Sequence, residues 1–421
     1  MFFITNKQMR QRILFLTIFS VFISISGVSQ NTRSPYSIFG PGEIQSRGFG
    51  RNMAMGGAGI GVSSGSFINT MNPASYSGFD SLKFVYEIGF EGKYSRFKSQ
   101  GDRLNDYTFN FKYIAFGFRV NDWWASTMGI APFSNVGYTI TTSKYVEGTF
   151  DKFYSSYEGS GGINYVYWGN AFKLGKLSLG VNSSYLFGSI TQDELITQPS
   201  DIFSSFIMQR TDYLKSFYFD YGAQYSFKIK GWDYTLGAIY SNEQKLTSRH
   251  QVDVKTTSYT TISSEEYKSK QLRVPETYGI GFSMKKGPIV HVAGDYEFQK
   301  WSGLKYPIQK DVFLDSHRFA VGAESKPWGE IVTLDWYKKI TYRIGANYKT
   351  SFLKINGTQI NEKGITFGLG IPVKNIGSLM NFTVEVGQKG TVSNRLIRED
   401  YVLFHMNFSI NEIWFKKRIF Y

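Results

Sequence analysis

The chain has no cysteine. Disulfides, thiolate metal sites, a cysteine nucleophile and a lipid-modified N-terminal cysteine are excluded together. Histidine is scarce: His250, His291, His317 and His405 are too scattered to suggest a metal site, and no HxxxH occurs. Beyond Gln30 no apolar run is long enough for a membrane-spanning helix, and the mean hydropathy of −0.24 is too polar for a helical bundle. His291, Asp295 and Glu297 share one strand face, but lumen polar groups bonded to neighbours or water account for them better than catalysis does. No enzyme, cofactor or metal is expected.

Aromatic residues are abundant: 37 Phe, 29 Tyr and 8 Trp make 18% of the chain, beside 43 Gly. That mixture favours strands and tight turns. The first 29 residues differ from the rest. Lys7, Arg10 and Arg12 precede an apolar run from Ile13 to Ser26 and the small residues Gly27, Val28 and Ser29. This is the layout of an export signal cut before Gln30, and the run is short for a retained anchor. Losing the signal lowers the formal charge from +14 to +11. The cations are scattered rather than clustered, which argues against nucleic acid and suits contact with an anionic envelope surface.

After Asp80 one pattern returns. Leu82, Phe84, Tyr86, Ile88, Phe90 and Tyr94 fall on one face of an extended run, Lys83, Glu87, Glu91 and Lys93 on the other. Phe217, Phe219, Tyr221, Ala223, Tyr225 and Phe227 likewise oppose Asp220, Gln224, Ser226 and Lys228. Strands are expected near residues 82–98, 107–120, 123–140, 157–174, 177–193, 213–229, 232–248, 275–285, 289–301, 316–327, 339–351, 364–373, 380–390 and 400–410. Most connections after even-numbered strands are tiny and most after odd-numbered ones are long, the longest spanning 191–212 and 249–274. Unpaired backbone in hydrocarbon costs several kcal/mol per group, so only helices or closed sheets span a membrane. With no helix available, the expected fold is all-β: a 14-stranded antiparallel transmembrane barrel of the outer-membrane type, with aromatic lipid-facing positions and a charged, wet lumen. A soluble sandwich also alternates, but it seldom needs so many strands with aromatics crowding both ends.

Residues 31–80 lack this alternation. They hold nine glycines between Gly40 and Gly65, yet also Met53, Met55, Ile60, Val62, Phe67, Ile68 and Met71. GGAGIG does not keep the GxGxxG spacing and has no strand before it or helix after it, so a nucleotide loop is not supported. A flexible apolar segment tethered to the first strand fits inside the barrel as a plug. The division expected is signal 1–29, hatch 30–80, barrel 81–410 and a periplasmic tail 411–421.

The triplet Asn72-Pro73-Ala74 at the end of that segment resembles the NPA motif of the FadL family, outer-membrane channels for long-chain fatty acids and other hydrophobic compounds. VPETYGIGFSMKKGPIVHVAGDYEFQKWSGL (274–304), SHRFAVGAESKP and YRIGANY are similar to further stretches of that family. The resemblance implies an N-terminal hatch and a kinked third strand that opens the wall sideways. The third strand here is interrupted by Gly129 and Pro132, and a proline cannot donate to a ladder, so a structural bulge or a lateral opening is expected there. It also implies an apolar entrance at the outer loops. Ile202, Phe203, Phe206 and Ile207 recur at helical spacing and suggest a short amphipathic helix, which either collects an acyl chain or packs on the rim.

Two functions follow. In the first, hydrophobic solute is captured at the loops, held between wall and hatch by Met53, Met55, Ile60, Val62, Phe67 and Ile68, and released laterally near Gly129 and Pro132. In the second, the barrel is an accessory subunit of an outer-membrane protein secretion or barrel-assembly machine, as some members resembling this chain are; the tail NEIWFKKRIFY, with Lys416, Lys417 and Arg418, would serve docking. The implied partners are outer-membrane lipid and hydrophobic small molecules, and protein partners under the second function; nucleic acid is not among them.

Overall fold

The computed structural model describes residues 34–145, 152–197, 205–269, 272–304, 313–329, 335–373 and 378–413. The expected export signal, the tail beyond Ile413, and Ile202 and Phe203 lie outside these residues. Fourteen long strands follow the hatch: β1 Lys83–Lys98, β2 Arg103–Arg119, β3 Trp124–Tyr145, β4 Lys152–Leu174, β5 Leu177–Thr197, β6 Phe206–Ile229, β7 Trp232–Ser241, β8 Glu276–Lys286, β9 Val290–Lys300, β10 Ser316–Ser325, β11 Thr341–Ile355, β12 Thr358–Pro372, β13 Leu379–Lys389 and β14 Arg398–Ile413. Each pairs antiparallel with its neighbours in sequence, and β14 returns to β1 from Arg398↔Lys98 to Ile413↔Lys83. The sheet therefore closes, which removes the edges that hydrocarbon would not tolerate.

The alternation read from the sequence is the alternation of the wall. Phe217, Phe219, Tyr221 and Tyr225 of β6 are exposed on the outside, while Gln224 of the same strand is buried on the inside. Lumen polar side chains such as Thr366, Glu385 and Arg343 are buried because the hatch fills the space they face. The interior is occupied, not open.

Differences from expectation concentrate at the long-loop end. The stretch 249–274, expected as a polar loop, forms a hairpin of Thr247–Thr256 and Thr261–Ser269. Its first arm pairs with β6 from Thr247↔Lys215 to Thr256↔Phe206. Threonine, valine and tyrosine are good strand residues whatever their polarity. Phe206 and Ile207 belong to β6 rather than to a helix, paired on one side with β5 and on the other with this hairpin. For these two residues a ladder on both sides outweighs the helical spacing. β11 and β12 are joined by Asn356 and Gly357 alone, both at positive φ (50° and 79°), the Asn-Gly turn that matches strand twist. The wall also continues past residue 410, since Asn411 and Glu412 still pair with Val85 and Phe84.

Candidate functional site: the hatch and the side seam

The hatch has little regular structure: short 3₁₀ turns at Pro35–Ile38 and Pro73–Gly78, a two-residue strand Glu43–Ile44 and one helical turn Gly50–Met53. Its buried backbone groups must find partners elsewhere. Asn69 supplies many of them. Its amide donates to the carbonyls of Gly59 and Val62, both at 2.7 Å, and its oxygen accepts from Asn52 Nδ2 at 2.6 Å and from the Met71 N–H at 3.1 Å. The glycine loop is wrapped around this one side chain. The N–H groups of Gly59 and Ile60 then donate to Asp295 Oδ2 of β9, at 2.5 and 2.9 Å. A loop that looks built for phosphate cradles a carboxylate from its own wall.

Asn72 has both a local and a tertiary role. Its oxygen accepts the Ala74 N–H at 3.0 Å and caps the turn that begins at Pro73. Its amide donates to Ile60 O at 2.9 Å and to Ala223 O of β6 at 3.1 Å. The triplet Asn72-Pro73-Ala74 thus ties hatch to wall between β6 and the glycine loop.

Charged hatch residues complete the fastening. Arg51 Nε donates to Glu324 Oε2 at 2.6 Å, and Arg343 of β11 donates to the same oxygen at 2.7 Å. Arg51 also reaches His291 Nδ1 at 3.1 Å and lies 4.4 Å over the Phe67 ring. Arg47 pairs with Asp220 at 2.7 Å and Glu43 with Lys389 at 2.7 Å. These polar hatch residues were not singled out in the sequence. The available signal was their presence in a segment otherwise read as apolar.

The apolar hatch residues are used in packing. Met55, Ile60, Val62 and Ile68 are fully buried and Phe67 nearly so. Met55, Val62 and Phe67 pack with Ala293 and Ala320, and Ile60 with Ile239. The approach is close enough that wall glycines are required: a Cβ on Gly345 would collide with the backbone of Gly56, and one on Gly237 with that of Ile60. Met53 differs, being only half-buried and facing a cavity of about 210 Å³ above the hatch. Charged and amide side chains line much of that cavity, among them Gln45, Glu91, Lys112 and Lys349, with Phe133 and Tyr165 on one side.

Phe133 marks the other feature. The β2–β3 ladder begins at Arg119↔Ala125 and ends at Ile114↔Ile130, and among the described residues no β2–β3 pair lies beyond it. The neighbouring seam is much longer; β3 and β4 pair from Trp124↔Phe172 to Tyr145↔Lys152. Gly129 is the next-to-last paired position, opposite Ala115 on one side and Tyr167 on the other. Pro132 follows, and the β3–β4 register shifts between Pro132 and Ser134, leaving Phe133 as the extra residue of a bulge. From there the hatch takes the place of β2. Glu43 and Ile44 pair with Asn135 and Ser134, Gln45 N–H donates to Phe133 O at 3.0 Å, and Ser34 N–H donates to Gly137 O at 2.7 Å. On the β2 side a second bulge, at Lys112 between Phe90↔Phe111 and Gly89↔Tyr113, turns Lys112 inward to donate to Gln45 Oε1 at 2.6 Å. The seam is parted and stoppered by the same segment.

A closed fourteen-stranded barrel with an N-terminal hatch packed in its lumen is the architecture of FadL-type outer-membrane channels. Solved structures share it over most of their length. The Pseudomonas putida toluene transporter TodX aligns with TM-score 0.60 at 14% identity, over 89% of this chain and 100% of its own. The Ralstonia pickettii toluene transporter TbuX aligns with TM-score 0.58 at 15% identity, over 87% and 98%. A Pseudomonas aeruginosa FadL homologue aligns with TM-score 0.58 at 10% identity, over 89% and 100%. A search of curated proteins found no significant match. Within this architecture the chain belongs to the BamG family, whose model matches residues 9–421.

Proposed function

We propose that the barrel lets hydrophobic compounds pass sideways between its lumen and the membrane through the β2–β3 seam, with the hatch segment 34–45 as the gate. The observation that carries this reading is the short ladder. Six residue pairs hold β2 to β3, and the stretch beyond is filled by a hatch segment that fronts a cavity. Gly129 and Pro132 bound the opening, and Phe133 and Met53 are the apolar side chains nearest the path. Met55, Ile60, Val62, Phe67 and Ile68 become available to a solute only when the hatch shifts, since they now pack on the wall. Phe206 and Ile207 stand at the rim, where solute would collect. Burial of hydrocarbon supplies the drive, about 0.8 kcal/mol per CH₂. The toluene transporters that share this fold support the solute class. The test is uptake of radiolabelled toluene or long-chain fatty acid by cells with and without the gene; equal rates would remove the reading.

A second reading rests on a different observation. The hatch is fastened at Asn69, Asn72, Asp295 and Glu324, and the cavity left over sets charged side chains such as Glu91, Lys112 and Lys349 among its apolar ones, so a greasy solute there would lie against ionic groups. This favours an accessory barrel of an outer-membrane secretion or barrel-assembly machine, in keeping with a chain that is set apart from the hydrocarbon channels as a BamG-family member. Gentle detergent extraction followed by mass spectrometry separates the two readings. A stoichiometric protein partner supports the accessory subunit, and a barrel that emerges alone counts against it.

A further inference from the structure

Three short turns lie side by side at one end of the barrel: Gly175-Lys176 between β4 and β5, Lys230-Gly231 between β6 and β7, and Gly287–Ile289 between β8 and β9. Around them stand Lys173, Lys176, Lys228, Lys230, Lys285 and Lys286, all exposed. Asp233 is the acidic residue on these turns, and Lys228 holds it at 3.1 Å. Among the described residues, Lys173, Lys176, Lys230 and Lys285 have no carboxylate within ion-pair distance. Cations elsewhere at this end are neutralised locally, Lys83 by Asp80 at 2.6 Å, Arg119 by Asp122 at 3.2 Å and Lys338 by Asp335 at 3.1 Å. Among the described residues, the lysines at this end that lack a carboxylate partner gather on one arc.

We infer that this arc binds the phosphate headgroups of anionic phospholipids in the leaflet at the short-turn end of the barrel. Depth argues for lipid. Leu174, Ile229 and Ile289 are exposed among the lysines, at 60%, 51% and 49%, where side chains of that kind rest at the top of the acyl region. Lys286 lies on the outward face of β8, beyond Phe282 and Met284, with its ammonium 5.5 Å from the centre of the Trp232 ring. Indole at the interface and an ammonium reaching past it towards phosphate is the arrangement that bilayer boundaries select. Several lysines within a Debye length of one another repel, and bound phosphate relieves this. In barrels of this type short turns face the periplasm, so the leaflet is the phospholipid one.

The mature barrel, purified in mild detergent, is compared with the triple variant Lys176→Gln, Lys230→Gln, Lys286→Gln by native mass spectrometry after exchange into phosphatidylglycerol or phosphatidylcholine micelles. The wild type retains phosphatidylglycerol selectively, and the triple variant binds it about a hundredfold more weakly, since each of the three surface lysines contributes on the order of fivefold towards an anionic membrane. Unchanged heat-modifiability on gels verifies that the variant is folded. Displacement of the lipid by inorganic phosphate alone, equal retention by wild type and variant, or an acidic periplasmic protein co-purifying on this arc without lipid selectivity would each overturn the assignment.

Discussion

The Lys112 ammonium donates a 2.6 Å hydrogen bond to Gln45 Oε1, while the backbone N–H of Gln45 donates to Phe133 O. One hatch residue thus holds both lips of a seam whose strands have ceased to pair with each other. Residues 34–45 occupy the stretch where β2 and β3 no longer pair.

That relationship gives a direct test of gating. Ile44 and Ser134 are opposite each other in the hatch–β3 pair, and residues opposite in antiparallel strands have Cα atoms about 4.5–5.5 Å apart, within reach of a disulfide. The chain has no cysteine of its own, so Ile44→Cys with Ser134→Cys forms an unambiguous crosslink. Passage of labelled hydrocarbon should stop in the oxidised protein and return on reduction. Undiminished uptake with the crosslink complete on a gel would show that this segment does not gate.

Glu324 serves two guanidinium groups, Arg51 of the hatch and Arg343 of the wall. Glu324→Ala strands both cations in a buried place and should cost about 3–5 kcal/mol. Arg51→Ala leaves Glu324 with Arg343 and should cost less, roughly 1–3 kcal/mol. Urea unfolding followed by tryptophan fluorescence ranks them; an equal or reversed order would mean that Glu324 is not the shared fastening.

Asn69→Ala removes a side chain that makes four hydrogen bonds within the hatch. The barrel should still close, because no strand pairing depends on Asn69, but residues 56–71 should become sensitive to protease added to the purified protein. Resistance equal to that of the wild type would place the order of the glycine loop elsewhere.

Gly345→Val puts a side chain where the backbone of Gly56 lies. The outward aromatic face is untouched, so a folded barrel with a displaced hatch is the expected product. Planar-bilayer recording should show conductance in the variant and little in the wild type. A silent variant would mean that the hatch re-seats around the added methyl groups.

Much of the wall was legible because period-two patterning is local and repeats many times: Phe217 to Phe227 and Phe84 to Tyr94 each announce a strand with two unlike faces. The hatch was legible as an interruption of that pattern and through Asn72-Pro73-Ala74. Strand ends beyond the membrane were not. Phe206, Ile207 and the stretch 247–269 have no membrane to enforce a pattern, and whether they extend depends on a neighbouring strand being present to pair with. The fastening residues were hidden for a related reason. Asn69, Arg51, Glu324 and Lys112 are ordinary polar residues until folding sets them opposite one another.

What the sequence alone determined is that the chain must close on itself: alternating faces, no helix able to span beyond the N-terminal run and short turns leave no other way to satisfy the backbone in hydrocarbon. What only the tertiary structure decided is where that closure is incomplete. The gap beyond Ile114↔Ile130 and its filling by Glu43–Gln45 arise from a register set by two bulges, at Lys112 and Phe133, on strands joined at their other ends. A proline in the sequence signals that a hydrogen bond is missing, but only the folded chain shows which segment supplies its replacement.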